Sequence, residues 1–352
     1  MLKRLFCCTA LLGLVACVDP SSASGATGDT TLYAYDNANK RVLFWGDVSA
    51  GYTAGSFTAP TATLTTSNFD KVTPLGWGGM AMDQTRNRMY LVGESGDVVR
   101  LDSVRSLNGS VSSTNVVAFK LDSSERFTNS KFGQAALDPG NDTLYVTENG
   151  DNGTRIWVVT AASGRLNGAT IALQKLSQTN DTGGYGVAGY AGEVYGSFTN
   201  GDDVGNPVLT GYRLRKGTSS AFDPAKVILG DLTGLGSFGT LALDQSNSIL
   251  YTGVDAAAFS GATSPVLVFR TGQFGGTNNQ APDATLGDKA IVSDLRVLAH
   301  SGNKDWLVGL SASGSETLWI WKNPSTASSA TFKSLLAPTG SQLRGAALDG
   351  TP

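Results

Sequence analysis

From residue 31 onward the chain alternates short apolar runs with polar turns, and the runs recur as a template. "GGMAMDQTRNRMYLVGESG" from Gly78, "GQAALDPGNDTLYVTENG" from Gly133 and "GTLALDQSNSILYTGVDA" from Gly239 each read as a strand of small and apolar residues ending in aspartate, a polar turn, and a second strand with an aromatic near its start. With Asp83 as the register mark, the equivalent positions are Asp138, Ala191, Asp244, Ser301 and Asp349, spaced by 55, 53, 53, 57 and 48 residues. A period near 53 indicates an array of supersecondary units. Tyr90, Tyr145, Tyr195, Tyr251 and Trp306 mark the second strands, and "VVRL", "IWVV", "VLVF" and "LWIW" the third strands of four units. "VVAFKL", "TIALQKL", "KVILGDL", "DATLGD" and "ATFKSL" follow as fourth strands. Four strands in a unit of this length predict a propeller blade. After residue 30 no apolar period of 3.6 persists long enough to predict a substantial helix.

The last unit stops at Pro352 with only its first strand written, "RGAALD". Its missing strands stand at the other end of the chain, in "TLYAYDNANKRVLFW" from Thr31 and "PTATLTT" from Pro60. The expected fold is therefore all-β: a six-bladed β-propeller over residues 31–352, its ring closed by N- and C-terminal strands sharing one blade. Such closure leaves no open sheet edge at the junction.

The N-terminal segment follows another pattern. Lys3 and Arg4 precede an apolar run from Leu5 to Ala16, which reads as an export signal over residues 1–16. Leu14-Val15-Ala16-Cys17 resembles the lipobox of bacterial lipoproteins, and that resemblance implies cleavage before Cys17 and acylation of its thiol. The alternative is an ordinary cleaved signal and a released protein. Residues 17–30 then form the acylated cysteine and a flexible Ser/Ala/Gly-rich tether. Acyl chains on one residue would hold the protein at a membrane, each buried methylene contributing about 0.8 kcal/mol. The expected location is the bacterial cell envelope, with the membrane as one partner.

Composition narrows the function classes. Charged residues make up 16% and glycine 44 of 352 positions, which suits many short strands joined by tight turns. Loss of Lys3 and Arg4 with the signal leaves 24 basic against 29 acidic residues, a balance that disfavours nucleic acid as a partner. Cys7 and Cys8 leave with the signal too, so the mature chain has no internal disulfide.

The blade template resembles the NHL-repeat and SMP-30-like six-bladed propellers, most clearly in "GQAALDPGNDTLYVTENGDNGTRIWVV" and "SPVLVFRTGQFGGTNNQAPDATLGD". The resemblance implies the propeller fold and opens two functions: a binding or scaffold module for a protein, peptide or glycan, or a cation-dependent hydrolase of the lactonase kind with its site in the central channel. The chain has neither the "PNG" segment nor the early Glu-Gly-Pro of those lactonases, so no metal ligand is carried over.

Two sets of residues are candidates for chemistry. Six positions before the register mark stand Trp77, Phe132, Tyr185 and Phe238, with Leu295 and Leu343 in the remaining units. They form either an aromatic collar for a ligand or packing between blades. Asp36, Glu94, Glu148 and Asp255 follow or end the second strands, with Asp202, Asp203 and Glu316 in comparable loops. Convergent at one mouth, they would suit calcium, which takes 6 to 8 oxygen ligands; otherwise they cap turns. His300 is the only histidine, which excludes a histidine-rich metal site and would make it indispensable to any Ser-His-Asp triad. The expectation for His300 is structural, and the protein is expected to act as a monomer.

Overall fold

A computed structural model describes residues 30–350, except 56, 58, 73–74, 123–124, 151–152, 177–185, 199–211, 236–238, 255–263, 276–278, 289, 293, 303, 312–316 and 327–330. Its strands form six sheets. In chain order the blades begin at the inner strands Leu75–Asp83, Lys131–Asp138, Val187–Tyr190, Thr240–Asp244 and Leu295–His300, and these are blades two to six. Blade one joins the two ends of the chain: Leu343–Asp349 is its inner strand, and Thr31–Asp36, Arg41–Trp45 and Ala62–Thr65 follow outward. Thr31 pairs with Asp349 and Asp36 with Leu343, in an antiparallel register. The six-bladed propeller closed by terminal strands is thus the fold of this protein.

The strands read as nearly continuous apolar runs because both faces of each blade are buried. Successive side chains of a strand point to opposite faces. In blade one, Tyr33, Tyr35, Val42 and Phe44 pack toward blade two, with Met89, Leu91 and Val99. Their neighbours Leu32, Ala34, Leu43 and Trp45 pack toward blade six, with Val308, Leu310 and Ile320. The same alternation builds a hydrophobic cluster between every successive pair of blades. Truncating one such residue, for example Leu144→Ala between blades two and three, costs about 2–5 kcal/mol by leaving a cavity.

The register aspartates close the turns between first and second strands. Asp83 accepts from Arg86 N (3.0 Å), Asp138 from Gly140 N (3.0 Å) and Asn141 N (3.3 Å), and Asp244 from Asn247 N (3.1 Å). The chain then turns through a residue with left-handed backbone, Asn87, Asp142 or Ser248. Asn and Asp tolerate that conformation because their short polar side chains bond locally. Blade four has no aspartate here and turns on Ala191 and Gly192, both at positive φ. Asp138 of the preceding blade supplies the missing acceptor, taking a hydrogen bond from Gly192 N at 2.7 Å.

Two features depart from the repeat. "TIALQKL" is not one fourth strand: Thr170–Ala172 adds parallel to the outer strand of blade two, and Gln174–Lys175 pairs with the third strand of blade three. Leu173 N donates to Asp122 O and Leu176 N to Ile156 O, so the chain changes partner between them. Likewise Gly109–Ser110, from the loop of blade two, adds parallel to Ala62–Thr65 of blade one. The α-helix among the described residues is short, Val48–Ala54, capped by the Asp47 carboxylate on Ala50 N and ended by Gly55 at φ 74°.

Candidate functional site

The first face of the ring carries the loops entering each inner strand and the turns between second and third strands. Here Asp36 is fully buried and accepts from Gln342 N (2.9 Å), Asn39 Nδ2 (2.8 Å), Arg41 Nε (2.8 Å) and Ser341 Oγ (2.9 Å). Burial opposes its charge, but these donors outweigh it and hold its carboxyl below the usual range. Asp36 therefore fastens the blade shared by the two chain ends.

Glu148, also fully buried, accepts from Trp157 Nε1 (2.7 Å), Arg126 Nε (3.2 Å) and the Ser130 hydroxyl. Glu94 pairs with Lys131 at 3.0 Å, and its carbonyl takes Phe132 N. Glu94 and Glu148 thus meet the same loop between blades two and three, while Asp36 lies with blade one. Each carboxylate is matched by donors or cations of its own neighbourhood, which is the arrangement of a turn or loop clamp and does not fit a calcium cage. Asp255, Asp202, Asp203 and Glu316 lie outside the described residues, as does Cys17.

Of the aromatic positions, Phe132 is buried between blades two and three, and Leu295 and Leu343 are likewise in interblade clusters. Tyr185 and Phe238 lie outside the described residues. Trp77 is half-buried and bears the Arg344 guanidinium over its ring, 4.1 Å from the centroid. Other arginines cover aromatics on this face: Arg126 covers Phe132 at 4.4 Å, and Arg155 covers Phe127 at 3.7 Å. Arg344 and Trp77, and Arg155 and Phe127, come from separate parts of the sequence, so the repeat ruler does not reveal those pairings. The stacks span the entry side of blades one to three.

The opposite face, where first strands turn into second strands, opens onto a central cavity of about 510 Å³ bordered by all six inner strands. Its floor is Gln134. This buried side chain donates to Leu241 O (2.8 Å) and accepts from Val187 N (3.0 Å) and Leu241 N (3.3 Å), tying blade three to blades four and five across the axis. At the rim, Gln84 of blade two donates to Ser301 O (3.0 Å) and Leu348 O (3.2 Å), reaching blades six and one. Met82, Leu137, Leu243 and Leu348, each immediately before a register aspartate, border the cavity. Sequence reasoning placed the channel site at the other face. The signal was present in the apolar residue of "MD" and "LD" at successive marks, one step from the ruler itself.

His300 occupies that penultimate position in blade six. Its Nδ1 accepts from Gly302 N at 3.1 Å, so the ring hydrogen is on Nε2, which lies 3.7 Å from both Asp244 Oδ2 and Asp305 Oδ1. A ring in this tautomer presents a donor and no lone pair to the two carboxylates, which does not suit a metal ligand. Its face stacks on Tyr251 of blade five, with centroids 5.6 Å apart. Burial disfavours the charge of Asp305, but the imidazole and Ser325 outweigh it and lower its carboxyl below the usual range.

No family model matches the chain, and no curated protein matches it. Similar solved structures include a chain from the crystal structure of a nidogen/laminin complex, with 11% identity over 91% of this chain and 97% of that one and a TM-score of 0.55. TolB from Acinetobacter baumannii is 13% identical over 91% of this chain and 66% of its own, with a TM-score of 0.49. AztD from Citrobacter koseri, in its apo form, is 14% identical over 88% and 71%, with a TM-score of 0.42. At such identities the likeness is one of fold. Among the described residues no helix is long and apolar enough to cross a membrane.

Proposed function

We propose that this protein is a lipid-anchored binding module of a bacterial envelope, which presents the entry face of its propeller to a protein or peptide partner. The observation that carries the reading is the pair of arginine–aromatic stacks Trp77–Arg344 and Phe127–Arg155 on one side of the ring, with Phe132 and Arg126 packed between them and the core. Arginine and large aromatics are the residues that dominate binding energy at protein interfaces, because they combine area, planarity and directed hydrogen bonds. A stacked guanidinium is already ordered, so less side-chain freedom is lost when a partner docks. The similar propeller solved in a nidogen/laminin complex accords with a binding role. The lactonase reading loses support, since Asp36, Glu94 and Glu148 are engaged by Arg41, Lys131 and Arg126.

The resemblance of Leu14-Val15-Ala16-Cys17 to a lipobox supports the tether. The test is made in cells of the source type, with an alkynyl fatty acid as label and a photo-crosslinking residue at Trp77. The reading expects label on the wild type and none on Cys17→Ser, together with a discrete crosslinked adduct that disappears in Arg344→Ala. Unlabelled protein in the medium, without an adduct, contradicts it.

A further inference from the structure

The partner face leaves the cavity on the opposite side of the ring unused. We propose that this axial cavity is a second, independent site, for an uncharged ligand with an aliphatic body and a carbonyl or hydroxyl group. The volume of about 510 Å³ lies within the range of small-molecule pockets, roughly 300–1,000 Å³.

The chemistry of the wall selects the ligand. Met82 and Leu243, both half-buried, offer thioether and branched aliphatic surface from two blades, while Leu137 and Leu348 border the cavity but turn their side chains into the interblade clusters, and among the described residues no Phe, Tyr or Trp lines it. Sugars usually bind against aromatic faces, so this wall disfavours a glycan. Among the described residues, the titratable groups of the lining are Arg105 and His300. The Arg105 guanidinium is taken by the Asp349 carboxylate at 2.7 and 3.1 Å and by Gln84 O at 2.6 Å. The His300 side chain is only 2% exposed, with Nδ1 already accepting from Gly302 N. A charged ligand would surrender its hydration here and meet no uncommitted counter-charge, whereas a neutral one avoids that penalty.

Polar anchors are present for a neutral group. Gln134 Nε2 uses one of its two N–H groups on Leu241 O, and no described residue takes the other, which can serve a ligand carbonyl. At the rim, Gln245 makes no hydrogen bond to a described residue and stands in blade five, opposite Gln84 of blade two in the six-membered ring. The site thus has an amide floor, an aliphatic wall and an amide rim.

The experiment uses the mature chain carrying Cys17→Ser and three probes of one length: octanamide, octanoate and octylammonium. Isothermal titration and thermal melting are read together. Octanamide binds saturably and raises the melting temperature, and the two charged probes bind at least tenfold more weakly. Met82→Trp fills the cavity and Ser246→Trp obstructs its exposed mouth without touching the core; each weakens octanamide at least tenfold. The proposal is overturned if octanamide does not bind, if a charged probe binds within threefold of it, or if the folded Ser246→Trp protein binds it as wild type does. None of these outcomes depends on the Trp77 crosslink or on acylation, so this site and the partner face stand or fall separately.

Discussion

The side-chain amide of Gln134 lies against the backbone of Leu241, donating to its carbonyl at 2.8 Å and accepting from its N–H at 3.3 Å, across the axis from one blade to another two places along the ring. The same oxygen also accepts Val187 N, so one side chain satisfies three buried backbone groups. Gly78, at φ 77°, lies so close that a Cβ there would come 3.1 Å from Gln134 Cγ. Gln134→Leu keeps the volume and removes every bond, and it should lower stability by about 3 kcal/mol because buried donors and an acceptor are left unpaired. Urea denaturation measures this; an unchanged midpoint would show that the tie is not structural.

The ring closure depends on Asp36 and is acid-sensitive. Donors from Gln342, Asn39, Arg41 and Ser341 depress its carboxyl below the ordinary value against the effect of burial. A depressed folded value means that the stabilisation is complete above the unfolded pKa, near 4, and is lost as pH falls through the lower, folded one. Asp36→Asn should cost about 2–3 kcal/mol at neutral pH by breaking a buried charged network, and should reduce the loss of stability between neutral pH and pH 3. Melting temperatures across that range test both parts.

The repeated tyrosines predict behaviour at the alkaline end. Tyr145 is fully buried, its hydroxyl has no hydrogen-bond partner among the described residues, and burial together with nearby Asp138 pushes its pKa up to about 12. Because the folded value is raised, its contribution is complete below the unfolded pKa of about 10 and is lost as pH rises from there toward 12. Stability should therefore hold from pH 7 to 9 and fall beyond 10. Tyr145→Phe should be neutral, or stabilising by up to about 1 kcal/mol, at pH 7 and should soften the alkaline fall. A strongly destabilised Tyr145→Phe would reveal a hydroxyl bond that this account lacks.

Calcium is expected to leave the melting temperature unchanged, since Glu148 is committed to Arg126, Ser130 and Trp157. Glu148→Gln should destabilise the protein by leaving the Arg126 charge without its partner. A saturable calcium-induced rise that vanishes in Glu148→Gln would restore the cation-dependent reading.

Much of the fold was legible because the repeat records strand alternation directly: in "LYAYD" adjacent residues serve opposite blades, and the same rule holds around the ring. The division of Thr170–Lys175 between two sheets was not legible, because which edge a strand joins depends on its neighbours and its own alternation is satisfied either way. The acids Asp36, Glu94 and Glu148 were visible as residue types, but Arg41, Lys131 and Arg126, which neutralise them, stand at unrelated points of the repeat. Phe132 shows the same limit. Its burial between blades is the packing alternative that the ruler position offered, while its stack under Arg126 follows from a loop that the ruler does not index.

The measurement that tests the account most directly is anomalous diffraction from crystals of the mature chain carrying Cys17→Ser, equilibrated with 8-bromooctanamide. The account predicts one bromine peak on the propeller axis, between the Gln134 amide and the rim formed by Gln84 and Gln245. A peak on the other face, beside Asp36 or beside Glu94 and Glu148, or a vacant axis at saturating probe, would contradict it.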